Sequence, residues 1–246
     1  MTAVQVADRV HRLNDGIVNF YLVEDGGKLT LVDAGGTRHW DLLVRTLASI
    51  ARRLEDLDAV VLTHAHADHT GVAERARSEA GASVRVHRAD AESARTGVSG
   101  KAEASYGRYL LRLEAYRTLV TLSRAGALKL VPVAEVSTFD DGETIDVPGR
   151  PRAVHAPGHT EGSCAILLEG RRVLLTGDCL VTRNPFTGRV GPQIMPAGLN
   201  GDSGTALTSL DVLSPLPVDV ILPGHGEPWT RGAGEAVSRA KAAGRS

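Results

Sequence analysis

The stretch AVVLTHAHADHTG, residues 59–71, carries the densest chemistry in the chain: His64, His66, Asp68 and His69 follow directly on an apolar run. Strand alternation continued past Leu62 points His64 and His66 the same way, and Asp68 and His69 then follow a turn. Neutral imidazole and carboxylate are zinc ligands, and imidazole also suits iron. A pair of histidines on one side and an adjacent Asp/His pair can feed two neighbouring ions, so this one loop can begin two metal sites.

Other loops offer matching residues. HAPGHTEGS places His159 in a glycine-flanked turn between strands, LLTGD places Asp178 just past an apolar strand, and VDVILPGHGEP places His225 between glycines after another. Asp33 closes the strand ending in VDAGG, where a carboxylate either caps the next turn or orients a metal-bound histidine. His87 has no patterned partner and reads as a strand-end or surface histidine.

The elements that must position these residues follow from periodicity. Strands are predicted over 4–13, 17–23, 28–32, 58–62 and 83–87, and again over 143–147, 152–156, 163–168 and 172–176. Helices are predicted over 38–54, 72–80, 88–94 and 233–243. Residues 101–126 break this rhythm, with Tyr106, Tyr109, Leu110, Leu113, Tyr116 and Val120 at helical steps and Gly126 as the stop. This helical insertion, about 97–128, serves as a lid, a dimer face or plain packing. The segment 182–204 reads as a long irregular loop with Arg183, Asn184, Phe186, Met195 and Leu199 as candidate substrate contacts, Tyr109 being another. Cys179, beside Asp178, reads as a small buried strand-end residue.

Composition limits the classes of function. With 246 residues and 42% hydrophobic content, the chain can form one domain with a substantial core. Lys plus Arg number 28 against 29 Asp plus Glu, and a net charge of -1 gives no attraction to nucleic acid or acidic membranes. A small-molecule substrate is the expected partner, with a homodimer through the tyrosine stripe as the other contact considered. The opening MTAVQVADRV lacks the pattern of a signal peptide, and no apolar run is long enough to span a bilayer. Only 2 cysteines are present, Cys164 and Cys179, which excludes a disulfide framework and suits a reducing compartment. The expected location is the cytoplasm.

The ordered set His64-x-His66-x-Asp68-His69, His159 in PGHTEGS, Asp178 after TG and His225 in PGHG resembles the metallo-beta-lactamase superfamily. The resemblance runs from about Val4 to Trp229. It implies an α+β, four-layer αβ/βα sandwich, two mixed sheets with helices on the outer faces, and a dinuclear centre at one edge. His64, His66 and His159 would then hold the first metal, Asp68, His69 and His225 the second, and Asp178 would bridge them. Two zinc ions are implied, with iron or manganese as the other metals considered.

Within the superfamily, true metallo-beta-lactamases lack a bridging carboxylate where Asp178 stands, so lactam hydrolysis is not expected. The chain is closer to the glyoxalase II and general hydrolase branch, without that branch's basic helical extension for glutathione. Its last tyrosine is Tyr116, so the tyrosine that related lactonases place after the bridging Asp is missing. RNA processing would call for a basic substrate arm. The expected activity is hydrolysis of a small ester, thioester or lactone by a metal-bridging hydroxide, directed by Asp68. The alternatives are a mononuclear iron oxygenase resembling persulfide dioxygenases and a non-catalytic metal-binding protein.

Overall fold

The computed structural model describes residues 4–109 and 111–245, without the side chains of Tyr106 and Arg108. Leu110 and the Tyr106 side chain of the predicted stripe therefore lie outside the described residues. The first sheet takes strands in chain order: β1 (Val4–Ala7), β2 (Val10–Asn14), β3 (Asn19–Asp25), β4 (Lys28–Val32), β5 (Leu57–Val61), β6 (Ser83–His87) and β7 (Ser137–Phe139). Its beginning is an antiparallel meander, and from β4 to β7 the neighbours run parallel. The second sheet contains β8 (Arg152–His155), β9 (Cys164–Leu168), β10 (Val173–Gly177) and β13 (Val220–Pro223), in the order β13-β10-β9-β8, with β10 and β13 parallel. A hairpin of β11 (Val181–Arg183) and β12 (Val190–Gln193) stands apart.

Alternation along the strands sorts the core into layers. Tyr21, Val23, Val32, Ala59 and Val61 of the first sheet meet Cys164, Ile166, Leu168, Val173 and Leu175 of the second. The intervening residues Phe20, Leu22, Leu29, Leu31, Val60 and Leu62 face the other way, under α1 (Trp40–Ser49), α3 (Ala73–Ala80) and α4 (Ala91–Thr96). Ala165, Leu167, Leu174 and Ile221 face outward beneath α6 (Ser203–Ser209) and α7 (Gly232–Ala243). The result is the expected α+β four-layer sandwich. Two further helices lie near the loops at one edge, the short α2 (Ala67–Thr70) and α5 (Leu113–Ala125).

Several predicted elements differ. The first strand is a hairpin, because the chain turns at Asp8 and at Arg9, whose φ is +52°. Residues 143–147 bury Ile145 and Val147 in the inter-sheet core, yet they form only the bridge Thr144 to Arg152. Pro148 and Pro151 have no N–H to extend a ladder there. Segment 182–204 is ordered by the β11/β12 hairpin and the start of α6 rather than irregular.

The insertion is helical only over α5, preceded by a 3₁₀ turn, Tyr106–Tyr109, where the Ser105 hydroxyl accepts from the N–H of Gly107. Leu113 and Tyr116 of the stripe do not form its inward face. Leu113 and Tyr116 are exposed, at 61% and 64%, whereas Ala115, Thr118 and Ala125 are buried. Small residues face the body because α5 lies close to it: Thr118 Oγ1 donates to the Pro185 carbonyl, and Thr37 Oγ1 donates to that of Gly126.

Backbone segments approach closely again under the histidine loop. A Cβ on Gly71 would stand 2.2 Å from the carbonyl carbon of Gly36, so α2 can rest on the loop after β4 only with glycine there. Gly71→Ala should lower unfolding stability by about 1–3 kcal/mol in urea denaturation, since backbone atoms cannot rotate aside.

Candidate metal centre

Two parallel strand pairs end at the same edge. β4 and β5 deliver Asp33 and the histidine loop from one sheet, and β10 and β13 deliver Asp178 and His225 from the other. The loop between β8 and β9 adds His159. Main-chain bonds join the sheets at this edge, with Cys164 N donating to the Thr63 carbonyl at 2.9 Å and Asn19 N to that of Gly224 at 2.8 Å.

The donor atoms converge in two clusters sharing one carboxylate. His66 Nδ1 lies 2.9 Å and His64 Nε2 3.2 Å from His159 Nε2. In the second cluster, Asp68 Oδ2 is 3.7 Å from His69 Nε2 and 3.5 Å from His225 Nε2. Asp178 lies between them, with Oδ2 3.5 Å from His159 Nε2 and 3.3 Å from His225 Nε2, and Oδ1 3.5 Å from His69 Nε2. Each of the sets His64/His66/His159, His64/His69/Asp178 and Asp68/His69/His225 fits within 4.8 Å.

These spacings fit a metal. Ligand atoms about 2.05 Å from a tetrahedral ion stand about 3.3 Å from one another. The buried His69 Nε2, His225 Nε2 and Asp178 Oδ1 have no hydrogen-bond partner among the described residues, a costly condition that a shared cation would relieve.

The outer nitrogens of the rings are held in place, which fixes their orientation. His69 Nδ1 lies 2.9 Å from Asp33 Oδ2, His64 Nδ1 3.0 Å from Thr63 Oγ1, His159 Nδ1 3.2 Å from Asn200 Oδ1, and His225 Nδ1 2.8 Å from the Ile17 carbonyl. Asp33 also accepts from the Thr63 N–H and hydroxyl, so of its two readings the histidine-orienting one matches the geometry. It holds this position in the left-handed region at φ +59°.

Asp90 is a positioning residue that sequence reasoning missed. Its buried carboxylate accepts from Ala65 N, Gly162 N and Thr160 Oγ1, each at 2.8 Å, and so ties the His64/His66 loop to the His159 loop. Asn200 and the Ile17 carbonyl were missed too, because nothing in local spacing pairs them with a histidine far along the chain. His87 lies outside the centre, its ring stacked on that of His155 with centroids 4.2 Å apart.

Electrostatics divide the centre. Burial, then repulsion from His69 and His159, holds His64 well below the usual imidazole value, while burial and His66 bring His159 down to about 3. Burial would also lower His225 but raise Asp68, and their mutual attraction, shared with Asp178 and His69, reverses both: His225 rises to about 10 and Asp68 falls to about 2. His69 is likewise raised despite its burial, chiefly by Asp178 and Asp68. Without metal, protons on His69 and His225 therefore balance the carboxylates.

A cavity of about 720 Å³ opens onto His66, Asp68, His159, Asp178 and His225. Of the candidate substrate contacts, Phe186, Met195 and Leu199 line it. Tyr109 does not, but its ring packs on Phe186 at 5.4 Å. Arg183 pairs with Glu114 at 3.1 Å, and Asn184 Oδ1 accepts from the N–H groups of Phe186 and Thr187, so both shape the wall from outside. Cys179 is buried, as expected.

A sandwich of two mixed sheets with a His/Asp centre at the ends of its parallel strands is the architecture of a metallohydrolase fold. A family model described as the metallo-beta-lactamase superfamily matches residues 13–225, and the chain belongs to that superfamily. Probable metallo-hydrolase YflN of Bacillus subtilis (strain 168) is 25% identical, across 92% of this chain and 87% of its own length. Atrochrysone carboxyl ACP thioesterase dmxR1 of Cryptosporiopsis sp. (strain 8999) is 30% identical, across 65% of this chain and 37% of its own length. The crystal structure of a metallo-beta-lactamase family protein, TTHA1429 from Thermus thermophilus, shares the fold, with a TM-score of 0.69, 26% identity, and coverage of 96% of this chain and 79% of that one.

Two expectations follow. Asp33→Asn should weaken metal binding about 10- to 100-fold, measured by competition with a chromophoric chelator, because His69 loses its carboxylate partner. In metal-free protein, His225 has a folded value of about 10 against an ordinary 6.5, so its stabilising contribution is complete below about pH 6.5 and is lost as pH rises through 10. The melting temperature of chelator-treated protein should fall across that window, and the metal-loaded protein, in which the ion replaces the proton, should not show this fall.

Proposed function

We propose that the protein is a dinuclear zinc hydrolase of a small-molecule ester, thioester or lactone. The observation that carries the reading is the pair of donor clusters meeting at Asp178, with buried His69 Nε2, His225 Nε2 and Asp178 Oδ1 unpartnered among the described residues. The names of the relatives, a probable metallo-hydrolase and a thioesterase, support hydrolysis and an acyl thioester substrate.

His64, His66 and His159 would hold one ion, Asp68, His69 and His225 the other, and Asp178 both. When bound, the ions would bring the pKa of a shared water toward about 7 and polarise the substrate carbonyl.

The chain's own residues do the rest. Asp68 lines the cavity with its side chain 17% exposed and stays ionised, so it can accept a hydrogen bond from an attacking water and aim it. Asp178 is buried, its carboxyl held well below the usual range because attraction from His225 and His69 outweighs burial. It therefore remains an acceptor throughout. Asp33 and Asn200 keep the His69 and His159 rings from turning.

An amine leaving group needs a general acid to protonate it, whereas a thiolate leaves without a proton. This favours thioesters, esters and lactones over amides. The protein purified without added metal should contain about two zinc ions per chain by plasma mass spectrometry and should cleave members of a thioester and lactone panel. About one iron with little zinc would overturn the reading. Asp68→Asn should lower kcat on the order of 10²–10⁴-fold while the His64/His66/His159 cluster still binds metal.

A further inference from the structure

The wall of the cavity carries two kinds of chemistry. Lys101, Glu161 and Asp202 are charged and His155, Thr160 and Thr205 polar, whereas Leu119, Leu122, Leu128, Phe186, Met195 and Leu199 present aliphatic and aromatic surface. Leu119 and Leu122 are three residues apart on α5 and so share a face. Both are half-buried, and neither packs into any of the hydrophobic clusters of the described residues. They are apolar side chains whose folded surroundings leave contact surface unused on the cavity side.

The helix carrying them is nevertheless firmly seated. Thr118 donates to the Pro185 carbonyl, Glu114 pairs with Arg183, Ala115 packs with Tyr109 and Phe186, and the C-terminal end of α5 is bonded through Thr37 to the loop that follows Asp33. A fixed helix holding unburied leucines over a hydrolytic centre is a preformed apolar half-site, and contact with an apolar group would bury them at little cost in ordering.

From this geometry we propose that the site takes esters or thioesters of an apolar, medium-length aliphatic acid, with the acyl chain packed under α5 against Leu119 and Leu122. The inference rests on the hydrolase reading for the chemistry and on α5 for the selectivity. Each methylene buried there should improve binding about fourfold. Short polar acyl groups would leave the leucines wet and gain nothing.

The test separates the acyl pocket from the reaction. Binding of butanoate and octanoate to zinc-loaded protein is measured by calorimetry, in parallel with hydrolysis of butanoyl and octanoyl thioesters of N-acetylcysteamine. Octanoate should bind at least tenfold more tightly, and kcat/KM should favour the octanoyl thioester by a similar factor. Leu122→Gln should cut the octanoate-to-butanoate ratio at least fivefold with zinc content and melting temperature unchanged, and Leu119→Asn provides the same comparison if the first variant folds poorly. Equal binding of the two acids, or a ratio untouched in both variants, overturns the acyl pocket and leaves the hydrolase reading standing. Chain-length-dependent binding with no turnover of either thioester supports the pocket and overturns thioester hydrolysis, the part of the hydrolase reading that these substrates test.

Discussion

Carboxylates drawn into the seam between the two sheets are the constraint on which the rest depends. Asp178, buried, and Asp68, half-buried, sit where strands from both sheets end, and negative charge withdrawn from water there is tolerable only with positive charge beside it. Protons on His69 and His225 supply that charge in the metal-free protein, and the same ring nitrogens are those a metal would claim. Protons and metal therefore compete for one set of atoms. The surrounding bonds to Asp33, Asn200 and the Ile17 carbonyl hold the rings so that either cation finds the same geometry.

The chemistry of this centre was legible because it is written in short loops. His64, His66, Asp68 and His69 occupy a single turn, and His159, Asp178 and His225 each adjoin glycines that allow close backbone approach. Gly224 shows why: a Cβ there would stand 2.3 Å from Asp178 Oδ1. Strand alternation likewise revealed the layers, since Leu29 and Leu31 face one core while Val32 faces the other. What periodicity could not reveal was pairing at a distance. Asp90 bridges two loops through backbone N–H groups, and no residue type near Ala65 or Gly162 announces it.

The insertion stayed open for a different physical reason. Helical periodicity identifies a stripe of large apolar residues but does not say whether it forms a lid, a dimer face or packing on the body. α5 lies so close to Pro185 and to the loop at Gly36 that only Ala115, Thr118 and Ala125 fit beneath it. Steric room, not hydrophobicity, chose its inward face. Tyr109 alone of the described tyrosine side chains in this segment went inward, at 3% exposure, because the turn before α5 brings it onto Phe186.

The seating of α5 separates what the sandwich constrains from what the helix leaves open. Strand ends from both sheets fix the centre, and moving any of them would disturb the core layers on which they rest. α5 contributes to none of the three large clusters, so its outward and cavity-facing residues can change without repacking either sheet. Its anchors include a threonine hydroxyl on a proline carbonyl, an ion pair, the packing of Ala115 with Tyr109 and Phe186, and contact with the loop after β4. A wall attached in this way holds its shape against a ligand yet remains free to vary in sequence. The sandwich thus positions the centre, and the helix laid across its open edge forms one wall of the cavity beside it.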